Sequence, residues 1–343
     1  MSPINQHFSL EEFRVRQSAT REELAARGLD GLLLFKIEDM YWLSGLDTDG
    51  FCVFHAMFLG TGGGMTHISR TADLANIHYS SICEDIRLWV DGADTSKSAT
   101  IKDTLASHNM AGRRLGIQLD TMGLTPQLYR ELVDELGGWC EVVDASDLVR
   151  TLRLVKSPAE LDYIRHAGQI VNSCRDIAIG GTFPGVDEGE IMGRLWYTVF
   201  TNDGDPPAHR SPIGNGASAL NTRYTTRRKR IGENDQVTFE LGAGYRHYHA
   251  ADMFVVLTGP NVDPRHLRMH EACCDALQAV QDKLGRETRL ATCTRHTAPP
   301  WPNTTMNTRS WLHAATPWGR RGLPHGWNNR WSTRTTRSSS SRI

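Results

Sequence analysis

Glu240, Asp252 and the histidines between them are the residues whose types and spacing suit chemistry. Glu240 follows four residues of alternating strand pattern and precedes Gly242-Ala243-Gly244, so its carboxylate is partly buried and needs an ion-pair partner or a catalytic task. Asp252 interrupts an otherwise apolar strand. A period of two places Tyr245, His247 and His249 on one face. An imidazole near neutrality beside an ionised carboxylate can move protons to and from a small substrate. The competing roles are structural: a salt bridge for each carboxylate, and a satisfied core or surface position for each histidine.

Two strands must carry these groups, and the pattern supplies them as a hairpin, residues 236–241 and 245–257 around Gly242-Ala243-Gly244. Upstream, Ser157-Pro158-Ala159-Glu160 combines an N-cap, a proline at N1 and a glutamate at N3, which starts a long helix with Leu161, Ile164, Gly168, Val171 and Cys174 on one face. Asp187 and Glu190 repeat the cap before a second helix, and Gly204-Asp205-Pro206-Pro207 is a loop. Residues 264–284 are helical again. Near the N-terminus, Ser9 and Glu12 have capping-box spacing, with Phe8 and Phe13 placed as a hydrophobic staple, and Gly28 stops that helix. The runs 32–35 and 52–59, with the aromatic turn at 40–45 between them, read as buried strands. Helical patterns over 100–110 and 125–136 alternate with strand-like 114–119 and 139–143, which makes the first 150 residues or so an α/β domain.

Other patterns are weaker. Arg227-Arg228-Lys229-Arg230 reads as a solvated loop rather than a nucleic-acid contact, and Gly60-Thr61-Gly62-Gly63-Gly64 is a turn because no Gly-Lys-Ser/Thr follows it. His270-Glu271 lacks the second histidine of a zinc-protease helix, because Cys274 stands in its place. Charges interleave the N-terminal segment and leave no apolar run able to span a bilayer, so neither a membrane nor a nucleic acid is an expected partner, and the expected location is cytoplasmic. Seven cysteines without a CxxC pair argue against a disulfide framework. Residues 288–343 hold nine arginines and five of the nine tryptophans but no Asp, Glu or Lys, so the positive charge is concentrated there. Evolved disordered arms are poor in aromatic residues. The tail is therefore expected to be non-native sequence, as a wrong reading frame would produce, with a disordered basic arm as the alternative.

Several motifs together resemble a known family. Ala26-Arg27-Gly28-Leu29-Asp30-Gly31-Leu32-Leu33-Leu34 followed by Asp39-Met40-Tyr41-Trp42-Leu43-Ser44-Gly45 is similar to the start of the creatinase N-terminal domain. Arg153-Leu154-Val155-Lys156-Ser157-Pro158-Ala159-Glu160-Leu161 resembles the opening of the catalytic domain in the peptidase M24 family. Gly214-Asn215-Gly216, Arg230-Ile231-Gly232-Glu233-Asn234-Asp235-Gln236-Val237 and Tyr245-Arg246-His247-Tyr248 resemble that family's first catalytic strands. The resemblance implies an α/β creatinase-like N-terminal domain over residues 1–152, then an incomplete α+β pita-bread domain over residues 153–287, with residues 288–343 as the non-native or disordered tail. It also implies hydrolysis of a carbon–nitrogen bond in a dipeptide or small amide-like molecule, and a homodimer.

The family's peptidases hold two metal ions with two Asp, one His and two Glu, since paired cations share a hydroxide and lower its pKa. The first metal Asp falls on Glu240 and the second on Asp252, one residue further apart than that hairpin has in the metallopeptidases. A bulge at 249–251 is expected to bring both carboxylates into one cavity. The later His and Glu ligands would fall beyond residue 287, where the chain has no Glu. Glu240, with the histidines after it, resembles the metal-independent creatinase and ectoine-hydrolase branch, so no metal or other cofactor is expected. The family's substrate-site histidine aligns with Arg223, leaving His209 and His249 as substitutes. Glu240, His209 and Asp252 are thus the candidate catalytic residues, and Arg223, Tyr245 and His249 the candidate substrate-binding residues. Activity is expected to be impaired; a non-catalytic dimerising or binding module is the alternative.

Overall fold

The computed structural model describes residues 5–51, 53–90, 92, 95–208, 210–221 and 228–283. The chain divides into two units, Met1–Lys156 and Ser157–Ile343. The tail at 288–343 lies outside the described residues.

In the first unit, Ser9 caps helix α1 (Leu10–Ala26) by accepting the Glu12 amide at 3.2 Å. Phe8 meets Phe13 edge-on, with ring centroids 6.0 Å apart. The leucine run that follows becomes β1 (Gly31–Leu34), buried at every position. It lies fourth in a six-stranded sheet of order β4-β3-β2-β1-β5-β6, whose other members are β2 (Ala56–Gly60), β3 (Met65–Arg70), β4 (Asp85–Trp89), β5 (Arg114–Ile117) and β6 (Glu141–Asp144). β1 pairs antiparallel with β2 and parallel with β5.

Such a central strand has two apolar faces because helices cover both. Leu33, Phe58, Ile68, Leu115 and Ile117 pack with Ile101 and Leu105 of α4 (Lys97–Ser107) and Leu128 and Leu132 of α5 (Pro126–Leu136). Leu32, Leu34, Met57 and Leu59 pack on the other face with Leu24 of α1, Met40 and Leu43 of α2 (Ile37–Ser44), Ile77 of α3 (Leu74–Ser80), and Leu148 and Val149 of α6 (Leu148–Leu152). The aromatic segment expected as a turn between strands is helix α2, ended by Gly45 at φ 79°. Its apolar residues are buried because it closes a core, and a short apolar run cannot by itself distinguish buried helix from buried strand.

A buried polar network ties this unit together. Asp39 of α2, 1% exposed, accepts from Gln118 just after β5 and from Arg153 just after α6. The Gln118 side-chain oxygen in turn accepts the amides of Phe35 and Lys36, at 3.0 and 3.1 Å.

In the second unit, α7 (Pro158–Gly181) begins with the expected capping box: Ser157 Oγ accepts the Glu160 amide, and Glu160 accepts the Ser157 amide at 2.8 Å. Its buried face is Ile164, Ala167, Ile170, Val171, Cys174 and Ala178. With Ile191, Leu195 and Val199 of α8 (Glu188–Thr201), it covers one face of a sheet of order β7-β8-β9. β7 (Ile213–Asn215), β8 (Gln236–Tyr245) and β9 (Tyr248–Leu257) are antiparallel, and α9 (Pro264–Lys283) follows. Stacked Phe239 and Phe254, 5.0 Å apart, sit in the middle of this core. Among the described residues β9 has a strand on one side only.

Replacing Asp39 with Ala leaves the Arg153 guanidinium buried without its carboxylate. This should cost about 3–5 kcal/mol, read as a lower urea midpoint for the first unit in the full chain. An unchanged midpoint would show that the network carries no stability.

Candidate active site

The hairpin turn decides which side chains meet. Arg246 and His247 both have left-handed φ, 49° and 66°, as a two-residue I′ turn requires. The turn therefore falls after Gly242-Ala243-Gly244, not on it, and the glycines belong to β8. From this turn the ladder runs unbroken from Tyr245↔Tyr248 to Gln236↔Leu257.

Residues directly opposite each other share a face, so the register separates the candidates. Glu240 lies opposite Met253, while Asp252 lies opposite Leu241. The expected bulge is absent from the ladder, and the two carboxylates point to opposite faces. Asp252 enters the helix side, 5% exposed, where Arg175 of α7 donates to it at 3.3 Å. Its interruption of the apolar strand is a buried ion pair. Glu240 is half-buried on the other face, and the residue diagonally across from it on β9 is Ala251, opposite Gly242.

Tyr245 also belongs to the helix side. Its ring lies 4.0 Å from His166 and 5.6 Å from Tyr163 of α7. It does not share a face with His249, because two turn residues intervene and Tyr245 pairs with Tyr248. Tyr248 points the same way and donates to the buried Glu160 at 2.7 Å. The capping residue that starts α7 thereby also anchors the hairpin.

His249 does share the Glu240 face, opposite Gly244. The Ala208 amide donates to its Nε2 at 3.1 Å, so Nδ1 carries the proton and donates to the His247 carbonyl at 2.9 Å. Both ring nitrogens are engaged, and burial pushes the imidazole down to about 4. His249 thus holds the segment after Asp205 against the sheet. That segment continues along β8: Asp205 pairs with Gly244, Ser211 Oγ accepts the Gly242 amide at 3.3 Å, and the Pro212 carbonyl accepts the Glu240 amide at 3.0 Å. The Asp205 carboxylate also accepts the Arg246 amide at 2.7 Å, capping the turn. Sequence reading missed Asp205 and Arg175; the one available signal was an aspartate ahead of Pro206-Pro207. His209 and Arg223 lie outside the described residues. An open groove lined by Ile177, Gly180, Gly193, Arg194 and Tyr197 runs over α7 and α8, away from the sheet face that carries Glu240.

A six-stranded α/β unit followed by two helices on an antiparallel hairpin is the class of a creatinase N-terminal domain joined to an M24 domain. The chain belongs to this family: residues 16–155 match the creatinase/prolidase N-terminal domain and residues 162–297 match metallopeptidase family M24. It is 26% identical over 267 residues to the ectoine hydrolase of Halomonas elongata, covering 73% of this chain and 66% of that one. It is 26% identical over 152 residues to the Xaa-Pro dipeptidase of Pyrococcus furiosus, covering 43% and 44%. The solved prolidase from Thermococcus sibiricus matches with a TM-score of 0.75 at 18% identity, over 84% of this chain and 77% of that one. The creatinase-like and pita-bread fold classes are thereby shown, and the chain spans just under two thirds of the length of the ectoine hydrolase. No helix among the described residues is long and apolar enough to cross a membrane.

The described residues do not fit the family's dinuclear metal site. Glu240 lies opposite Met253 with Ala251 diagonally across, Asp252 is paired with Arg175 on the opposite face, and no group of three His, Cys, Asp or Glu among the described residues could hold a metal ion.

The His249 ring should stay neutral in the folded chain until the pH nears 4. Unfolded, it takes up a proton near 6.5, so its contribution to stability is complete above pH 6.5 and declines from there toward pH 4, by up to about 1.4 kcal/mol per pH unit. Histidine ring NMR checks this; a folded-state titration of His249 near 6.5 would contradict it.

Proposed function

We propose that this chain is an M24-type hydrolase by descent, shaped for a carbon–nitrogen bond in a small amide-like molecule or dipeptide, with impaired turnover as it stands. The observation that carries this reading is the Glu240 face of the hairpin, where Glu240 lies opposite Met253, with Ala251 diagonally across, and the described part of β9 places no carboxylate on that face. One carboxylate without a second suits proton transfer and attraction of a cationic group rather than a shared metal-bound hydroxide. In this reading Glu240 holds or deprotonates the reacting group, His209 supplies the proton, and Arg223 binds an anionic part of the substrate. His249 positions the Asp205 segment along the Glu240 face, and Asp252 serves packing rather than catalysis. The similarity to an ectoine hydrolase supports a small cyclic or zwitterionic amidine or amide over a proline dipeptide. Assembly as a homodimer in the cytoplasm belongs to the same proposal.

The test is turnover of ectoine, creatine-like amidines and Xaa-Pro dipeptides by the full chain, with and without chelator and added divalent metal. Slow, chelator-insensitive hydrolysis of an amidine or ectoine is expected, falling by at least about 100-fold in Glu240→Gln. Metal-dependent hydrolysis of an Xaa-Pro dipeptide would overturn the reading. Binding of these compounds without any turnover would favour a binding module instead.

A further inference from the structure

Strand β3 of the first unit buries imidazoles against both of its faces. On one face, His67, fully buried, stands beside His55, which is 1% exposed. His67 Nε2 is 3.3 Å from His55 Nδ1, and that same Nδ1 is 3.0 Å from Ser69 Oγ. Ser69 donates to Asp73 Oδ2 at 3.3 Å, so its oxygen accepts from His55 Nδ1–H. Only one proton fits between the two rings. A second, on His67 Nε2, would set two N–H donors against each other at a spacing where a hydrogen bond should form. The remaining nitrogens, His55 Nε2 and His67 Nδ1, are buried and have no hydrogen-bond partner among the described residues.

On the other face, Thr66 Oγ1 links β3 to β4 by donating to Asp85 Oδ2 at 2.7 Å, and Nε2 of His108, which follows α4, lies 2.6 Å from Thr66 Oγ1 and 4.0 Å from Asp85 Oδ2. The His108 ring lies on Phe58 with centroids 4.7 Å apart. All three histidines therefore bear on the β2-β3-β4 side of the sheet. Among the described residues β4 is an edge strand whose one sheet partner is β3; Ile86 and Trp89 pack toward the cores, while Arg87 and Leu88 are exposed.

We propose that β3 is an acid-release strand: proton uptake by His55 and His67 on one face and His108 on the other opens the β3–β4 edge while β1, β5 and β6 stay folded. The charged groups around each ring agree with this direction. His55 faces Asp73, which favours its cation, but also His67 and Arg70, which oppose it, and burial outweighs the carboxylate. His67 meets burial and His55, both opposing, and is held down to about 3. His108 has Asp85 in favour and Arg87 against, again with burial dominant. Unfolded histidine takes up its proton near 6.5, so protonation favours the opened edge as pH falls below that value. The β1–β5 ladder offers leucine, glycine and isoleucine, with no titratable group among its paired residues.

The test is native-state hydrogen exchange on the full chain, corrected for intrinsic rates, at pH 7.5, 6 and 5. Protection of the amides in Met65–Arg70 and Asp85–Trp89 should fall at least tenfold per pH unit below 6, while Leu32, Leu33 and Ile117 keep theirs. His67→Leu with His108→Gln should flatten that dependence in β3 and β4. If the double variant fails to fold, wild-type histidine ring NMR decides: His55 and His67 titrating near 6.5 in the folded chain would overturn the proposal. Loss of protection in step across all six strands would overturn it equally, since that is global acid unfolding.

Discussion

The unbroken hydrogen-bonded ladder between β8 and β9 is the constraint on which the second unit depends. Its register is set by one I′ turn at Arg246–His247, and register assigns every side chain on twenty residues to one face or the other. One face alternates Val237, Phe239, Leu241 and Ala243 with Ala250, Phe254 and Val256, and α7 and α8 close over it. The other keeps Glu240, His249 and Ala251. A slip of one residue would bury Glu240 among those apolar side chains and expose Phe239, so hydrophobic packing and turn geometry enforce the same answer.

Several groups that look chemical are consumed in holding this arrangement. Asp252 neutralises Arg175 under the helices, Glu160 caps α7 and receives Tyr248, and Asp205 caps the turn. Asp252, Glu160 and Asp205 each gain a partner distant in the chain, Arg175, Tyr248 and Arg246 respectively, which offsets the cost of keeping them from water. His249 belongs to this set as well. Once both ring nitrogens are bonded and the ring is desolvated, it is a neutral brace rather than a proton carrier at physiological pH.

The family assignment and the site chemistry thus separate. Two domain matches place the chain in the creatinase and M24 family, yet the hairpin that carries paired metal carboxylates in the peptidases offers one glutamate and one alanine on the corresponding face. Changes of this kind need no change of fold, because a face position on a rigid hairpin can lose its carboxylate while the register and the helix packing persist.

What the sequence determined by itself was local. The Ser157–Glu160 capping box, the cap at Ser9, helix α5 and the alternation of 236–241 were legible because their signals lie within a few residues of each other and report backbone geometry directly. The family motifs were legible for the same reason. β3, β4, α3 and α6 were not, since their polar, short segments acquire strand or helix geometry only from neighbours already in place. Nor could the sequence decide between Asp252 as a catalyst and as a partner of Arg175, 77 positions away, or place Tyr245 on the helix side. Those outcomes follow from where a two-residue turn falls, and Gly242-Ala243-Gly244 was the stronger turn signal. The tertiary structure overrode it because placing the turn at Arg246–His247 is what puts both Phe239 and Phe254 into one core.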